Sequence, residues 1–169
     1  FYFSYSVRAV FLEKGENSNM AYFIHTFTLI AIYAIVALSY AIPVGYTGLL
    51  NLGHIGLFAV GAYAAAILTT NGFSFWLAFP AAAALAGFVG FLLALPSRRI
   101  KGDYYALMTL GFLFVVNAFI VNGGEFTGGP FGISGIRRPE GFAEPSSFLA
   151  LSLAALFLVA VFVSRMLHS

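Results

Sequence analysis

The most informative stretch of this chain is residues 45–63, which read GYTGLLNLGHIGLFAVGAY. Apolar runs long enough to cross a bilayer surround this stretch, yet it carries five glycines, an asparagine and a histidine. Each glycine inside a helix costs about 1 kcal/mol relative to alanine, and an unpaired polar group in lipid costs more. A sequence that accepts both costs at membrane depth either lines a polar path or packs backbone against backbone.

The overall composition is that of an integral membrane protein. The 169 residues are 61% hydrophobic and 8% charged, with a mean hydropathy of +0.95, whereas soluble proteins are about 25% charged. A net charge of +2 without a basic patch argues against a nucleic-acid partner. The lack of cysteine excludes a disulfide framework and thiolate metal sites.

Five apolar runs without a charged residue predict an all-α, polytopic bundle of transmembrane helices. Strands of a membrane barrel would instead alternate apolar and polar residues. The second run is marginal for a span, because a bilayer core needs about 20 residues. The chain begins at Phe1 and ends at Ser169, directly after an apolar run. We therefore expect a single transmembrane domain, residues 1–169, that is truncated at both ends. The runs cover residues 20–42, 54–70, 75–95, 104–121 and 148–164.

The orientation of the bundle follows from the basic residues in its short loops. The loop 96–103 carries Arg98, Arg99 and Lys101 against Asp103 alone, so we expect it on the cytoplasmic side. The 26-residue loop 122–147 is slightly acidic and is expected outside, as is the segment 1–19. The four charged residues of the first loop are candidate contacts for a cytoplasmic partner, although anionic lipid and a helix N-terminus also explain them.

No motif for a chemical reaction or a cofactor is present. The chain lacks a glycine-rich lysine loop for phosphates, an HExxH pair and a GxSxG elbow. Its histidines, His25, His54 and His168, fall in three different segments, and no acidic residue lies in any predicted span. We therefore expect no catalytic, cofactor or metal site, and a protein that is not an enzyme.

The stretch 45–63 contains most of the candidate residues for a transport pathway. The first helix is expected to end at residues 45–48, after Pro43, and Asn51 is a candidate cap for the next helix. Broken helices of this kind occur at transporter substrate sites, but close helix packing or a simple turn explains the same glycines. In the fourth run, the hydroxyl of Thr109 and the amide of Asn117 predict interhelical hydrogen bonds first and pathway lining second. The candidates for the pathway or helix break are Gly45, Gly48, Asn51, Gly53, His54 and Asn117.

Three strings together resemble a known family. They are GYTGLLNLGHIGLFAVGAYAAAIL at 45–68, RRIKGDYYALMTLGF at 98–112 and FTGGPFGISGI at 126–136. In this order and at these separations they resemble the membrane-spanning permease subunits of branched-chain amino acid ABC transporters, closest to the M-type subunit, with urea-type permeases as near relatives. The third string is the most specific, and it supplies the candidate external contacts Thr127, Gly128, Gly129 and Gly132.

The resemblance implies an importer in the cytoplasmic (inner) membrane of a bacterium or archaeon. A soluble binding protein would deliver the substrate from outside, two permease subunits embedded in membrane lipid would form the pathway, and two cytoplasmic ATPase subunits would drive it. Members of the family are longer than this chain and dock on the ATPase through a basic segment, which we expect beyond Ser169. Many carry glutamine or another small polar residue at the position of His54, which favours a packing and hydrogen-bonding role for this histidine.

Two other functions remain open from the residues alone. A secondary transporter or channel for a small polar solute would usually place charged residues within its spans, and these five runs contain none. A membrane assembly protein without transport would need only the small-residue packing, but it would leave the external loop without a role.

Overall fold

The computed structural model of the chain is helical in all its regular elements within the described residues, which confirms the predicted all-α class. It describes residues 2–96, 99–100, 102–136, 141–142 and 144–168, and the side chains of those between 19 and 166. The helices are α1 (Tyr2–Thr47), α2 (His54–Thr70), α3 (Phe75–Ala94), α4 (Asp103–Asn122) and α5 (Pro145–His168), with short 3-10 turns at Gly124–Phe126 and Gly129–Phe131.

Four helical segments in the described residues are long and apolar enough to cross a membrane. They are Asn19–Thr47, Phe75–Ala94, Asp103–Asn122 and Pro145–Met166. Helix α2 is apolar but shorter, with 17 residues, and spans about 26 Å at 1.5 Å per residue. Most large apolar side chains on these helices are exposed, as expected for surfaces that face lipid or other membrane helices.

Helix α1 is longer than its apolar run predicts. It begins at Tyr2 and passes without a break through residues 2–19, which the sequence suggested as an external segment. It also continues past Pro43 and ends at Thr47, within the predicted 45–48 break. The chain leaves the helix at Gly48, whose φ of +62° lies in the left-handed region that favours glycine.

The five helices pack in two groups. Helix α1 packs along α5, while α2 packs between α3 and α4, and α1 contacts α2 only weakly. The hydroxyl of Tyr46 at the end of α1 donates to the carbonyl oxygen of Met166 near the end of α5. Helices α1 and α5 are therefore parallel and end on the same side of the bundle.

Small residues bring α2 and α3 together. Ala66 on α2 and Ala82 on α3 are buried, and a methyl group added at Gly61 would meet the Cβ atom of Ala86 at 3.4 Å. Helix faces without large side chains allow such close approach in membranes. Gly61 and Ala86 therefore meet at the α2–α3 interface.

Candidate functional site

The connection between α1 and α2 is an ordered break rather than a loose turn. The Thr47 hydroxyl donates to the carbonyl oxygen of Pro43 at 2.6 Å and accepts the amide of Leu49 at 3.2 Å. Closer to α2, the Gly53 amide donates to the side-chain oxygen of Asn51. Side chains and helix carbonyls thus satisfy polar backbone groups that a break at membrane depth would otherwise leave unpaired.

Asn51 does not cap α2, so that expectation is wrong. The N-cap is Gly53, which makes no side-chain capping bond, and the Asn51 side-chain oxygen instead accepts the Gly53 amide at 3.0 Å. This bond closes a turn of the kind asparagine forms two residues ahead of itself. Because the turn uses the side-chain oxygen before the helix begins, the oxygen is no longer available to the first helical turn.

Thr109 fixes the break against α4. Its side chain is fully buried, its Oγ1 accepts the amide of Leu52 at 3.0 Å, and its hydroxyl donates to the carbonyl oxygen of Ala106 at 2.9 Å. The predicted partner is a neighbouring helix, whereas the hydroxyl bonds to the backbone of the break and to its own helix. The sequence does not identify its partner, because the amide of Leu52 lies 57 residues away along the chain.

The glycines of residues 45–63 serve different purposes. A methyl group on Gly53 would lie 3.1 Å from both the Phe112 ring and the Thr109 carbonyl oxygen, and one on Gly56 would lie 3.0 Å from the Phe112 ring. These two glycines therefore let the start of α2 approach α4. Gly48 has open space around it, and Gly45 is exposed, so packing does not explain either of them.

A cleft between α1 and α2, hereafter the inner cleft, lies beside the break. Its volume is about 360 Å³, within the range of small-molecule sites. Its walls are mostly apolar and aromatic, with an amide and an imidazole where the break meets α2. The lining residues are Tyr33, Val36, Ala37 and Tyr40 of α1 and Asn51, Leu52, His54 and Ile55 of the break and α2.

His54 is held in place at the edge of the inner cleft. Its Nε2 atom lies 2.9 Å from the hydroxyl oxygen of Ser39, within hydrogen-bond distance. Its ring lies against that of Tyr40, with centroids 5.5 Å apart. A polar bond and an aromatic contact together orient the imidazole, and both connect α2 to the otherwise weakly attached α1.

Asn117 is not brought to the inner cleft. It lies eight residues beyond Thr109 on α4, about 12 Å farther along the axis, and its side chain is exposed in the isolated chain. The structure therefore brings Asn51, Gly53 and His54 together and leaves Asn117 apart. A pathway that includes all of them stays a prediction.

The predicted cytoplasmic contacts are only partly described. Arg99 is exposed, and Asp103 is the first residue of α4. The chain turns into this helix through Gly102, which has a φ of +62°. Arg98 and Lys101 lie outside the described residues. A carboxylate in the first turn stabilises a helix N-terminus, and contact of this loop with a partner stays a prediction.

The external loop begins with a tightly folded turn around Thr127. This side chain is buried, and its hydroxyl donates to the Ile120 carbonyl oxygen at 2.7 Å and accepts the Gly129 amide at 3.3 Å. Gly128 has a φ of +72°, and a methyl group there would overlap the Gly132 carbonyl oxygen. The specific TGGP string is thus explained by backbone geometry, and a contact role stays a prediction. Residues 137–140 of the loop lie outside the described part.

Comparison with known proteins identifies relatives of this chain. It is 46% identical over 116 residues to the high-affinity branched-chain amino acid transport system permease protein LivM of Escherichia coli (strain K12), which covers 68% of this chain and 27% of that protein. It is 44% identical, with the same coverage, to the protein of that name in Salmonella typhimurium (strain LT2). The chain thus spans about a quarter of the length of these curated relatives.

No solved structure matches the chain significantly. A family model, described as a branched-chain amino acid transport system permease component, matches residues 22–169. The match includes all three strings that carry the resemblance, as well as the break, the inner cleft and the external turn. The chain belongs to the permease family of branched-chain amino acid transport systems, and it is a protein of the inner membrane.

Proposed function

We propose that this chain is part of the membrane-spanning permease subunit of an ATP-driven ABC importer. The imported solute is a branched-chain or related amino acid that a soluble binding protein delivers on the outside. A second permease subunit completes the pathway, and two cytoplasmic ATPase subunits hydrolyse the ATP. Membership of the permease family supports this proposal, as does the high identity to two permeases of branched-chain amino acid transport.

The inner cleft is the observation that carries the proposal. A branched-chain amino acid has a short apolar side chain and a zwitterionic backbone. The apolar walls of the cleft suit the side chain, and Asn51 and His54 supply polar atoms at one edge. None of the described residues that line the cleft is an Asp, Glu, Lys or Arg, so the cleft supports brief passage rather than tight binding of the zwitterion.

The lack of charged residues in the apolar runs argues against ion-coupled transport. Secondary transporters usually bind their coupling ion through charged residues at membrane depth. The uncharged apolar runs of this sequence offer none, so an external energy source such as ATP hydrolysis fits better.

Uptake into proteoliposomes tests the proposal. The full-length permease is reconstituted with its partner permease, ATPase subunits and binding protein, and accumulation of labelled leucine is measured with and without internal ATP. We expect accumulation only with ATP and binding protein together. Uptake that continues without ATP and follows an ion gradient would identify a secondary transporter or channel instead.

Filling the inner cleft tests its part in the proposal. Ala37→Phe places a ring in the cleft and is expected to lower the maximal rate of leucine uptake at least about fivefold. Ala81→Phe is the matched control, because Ala81 is exposed on α3 and does not line the cleft. Equal rates for the two variants would exclude the cleft from the pathway. Micromolar leucine binding by a permease that lacks its binding protein would instead contradict brief passage without tight binding.

A further inference from the structure

A second cleft, hereafter the outer cleft, lies at the opposite end of α2 from the break. It has a volume of about 550 Å³ and opens to the surface between the end of α2 and the turn that contains the TGGP string. This is the predicted external side of the bundle. The residues that define it here are Ile67, Thr70, Asn71, Glu125, Phe126 and Ile133.

Thr70 and Asn71 offer hydrogen-bond acceptors to the outer cleft, and Ser134 adds a hydroxyl that can donate or accept. The Asn71 amide nitrogen donates to the Ile67 carbonyl oxygen at 2.7 Å, which leaves its side-chain oxygen as an acceptor. The Thr70 hydroxyl donates within α2, to the carbonyl oxygens of Ala66 and Ile67, so its remaining lone pairs are acceptors too. A group that binds to these atoms must therefore bring its own donors.

Glu125 supplies the charge of the outer cleft. Among the described residues that line the cleft it is the only charged one, and its side chain is exposed. A carboxylate accepts hydrogen bonds only. Because a negative charge and neutral acceptors line the same concavity, the complementary group is a cation with several N–H donors, such as a primary ammonium.

The remaining walls of the outer cleft are apolar. Ile67 of α2 and Phe126 and Ile133 of the external loop line it, and the Phe126 side chain is 80% exposed. These side chains suit a short hydrocarbon group next to the cation. A small concave site with an apolar wall and a few convergent polar groups is typical of small-molecule recognition.

We propose that the outer cleft receives the ammonium group of an amino acid with an apolar side chain, with the Glu125 carboxylate as its counter-ion. The proposal rests on the proposed import function and narrows its substrate class, since neutral amides and urea carry no ammonium. The outer cleft is thus the first site on the permease that the substrate occupies, and the inner cleft follows at the other end of α2.

Ligand binding to the purified, full-length permease complex without its binding protein tests this proposal. Saturation-transfer NMR is recorded with two fragments of leucine: isopentylamine, which lacks the carboxylate, and 4-methylpentanoate, which lacks the ammonium. We expect a signal from the amine and none from the acid. Glu125→Gln keeps the side-chain shape but removes the charge, and it is expected to weaken apparent affinity for the amine about tenfold.

Glu144→Gln is the matched control, because Glu144 is an exposed carboxylate at the start of α5 that does not line the outer cleft. This variant should bind the amine like the wild type. The proposal is overturned if Glu125→Gln binds the amine unchanged, if both variants lose it equally, or if the acid binds as well as the amine. An unchanged amine signal with a higher binding-protein requirement for ATPase activation would identify Glu125 as a protein-docking residue instead.

The test of the outer cleft and the test of the importer can fail independently of each other. ATP-dependent leucine uptake by the wild-type complex tests the importer, whereas the amine signal and its loss in Glu125→Gln test the outer cleft. A complex that imports leucine but does not distinguish the amine from the acid would retain the importer and refute the site.

Discussion

At the scale of single residues, Gly128 shows the strongest steric constraint in the external turn. Its φ of +72° is strained for any other residue, and an added methyl group would also overlap the Gly132 carbonyl oxygen. We expect Gly128→Ala to destabilise the permease by about 3 kcal/mol or more. Thermal unfolding of the purified protein measures this change.

Gly124→Ala is the matched control for Gly128→Ala. Gly124 has a φ of +56°, but a methyl group there meets nothing within 4 Å. Backbone strain alone should then cost about 1–2 kcal/mol. If the two variants unfold at the same temperature, the close contact with Gly132 does not contribute to stability.

The role of His54 can also be tested by a single substitution. Its bond to Ser39 and its contact with Tyr40 support the packing role that the sequence suggests. A glutamine reaches Ser39 with a similar polar group, so His54→Gln should keep the pH profile of leucine uptake between about pH 5.5 and 8. A profile that loses its pH dependence in this variant would show that His54 carries a proton.

At the scale of helices, the glycines of α2 set its distance from α4. A methyl group on Gly56 would lie 3.0 Å from the Phe112 ring and 3.5 Å from the Leu113 Cα atom. We expect Gly56→Ala to push the helices apart and to destabilise the permease by about 1–3 kcal/mol. The midpoint of thermal unfolding reports the change.

Gly87→Ala makes the same substitution inside α3, where nothing lies within 4 Å of the new methyl group. Alanine is the better helix former, so this control should be neutral or stabilising by up to about 1 kcal/mol. A Gly56→Ala variant as stable as this control would show that α2 and α4 do not depend on close packing there.

The helix boundaries show how much of the structure can be predicted from local sequence. The end of α1 at Thr47 agrees with the glycine-rich 45–48 segment, because Gly48 adopts a conformation that other residues avoid. The role of Asn51 was misjudged, because an asparagine before a helix can bond to its own local turn instead of to the helix. Local sequence does not distinguish these two bonds, because each joins the asparagine oxygen to an amide two or three residues ahead.

At the scale of the whole molecule, the sidedness of the five helices can be tested by labelling. The sequence of this chain contains no cysteine, so single cysteines report their own location. In a cysteine-free, full-length permease in intact cells, Phe73→Cys and Phe126→Cys should react with an impermeant maleimide. Tyr104→Cys should react with it only after the membrane is permeabilised.

The Phe73 position tests the shortest helix. Phe73 follows the end of α2 and is exposed, so external labelling requires that this 17-residue helix crosses the membrane. Labelling only from the cytoplasmic side would mean that α2 enters and leaves on one side, and it would overturn the five-span arrangement.

The amino-acid sequence is enough to assign the class of this protein. Its deficit of charge and its long apolar runs leave helices as the structure that satisfies the backbone in lipid. The three strings at 45–68, 98–112 and 126–136 carry the resemblance to permeases, and the family match over residues 22–169 confirms it. These features are local in the sequence, so they can be recognised without knowing which residues are in contact.

What the polar and small residues contact depends on the tertiary structure. Segments that are distant in the chain determine the partner of Thr109, the close approach at Gly53 and Gly56, and both clefts. Apolar membrane helices have similar surfaces, and their pairing depends on the shape of those surfaces rather than on hydrophobicity. Hydropathy therefore predicts that such helices exist, and packing alone fixes which of them form a site.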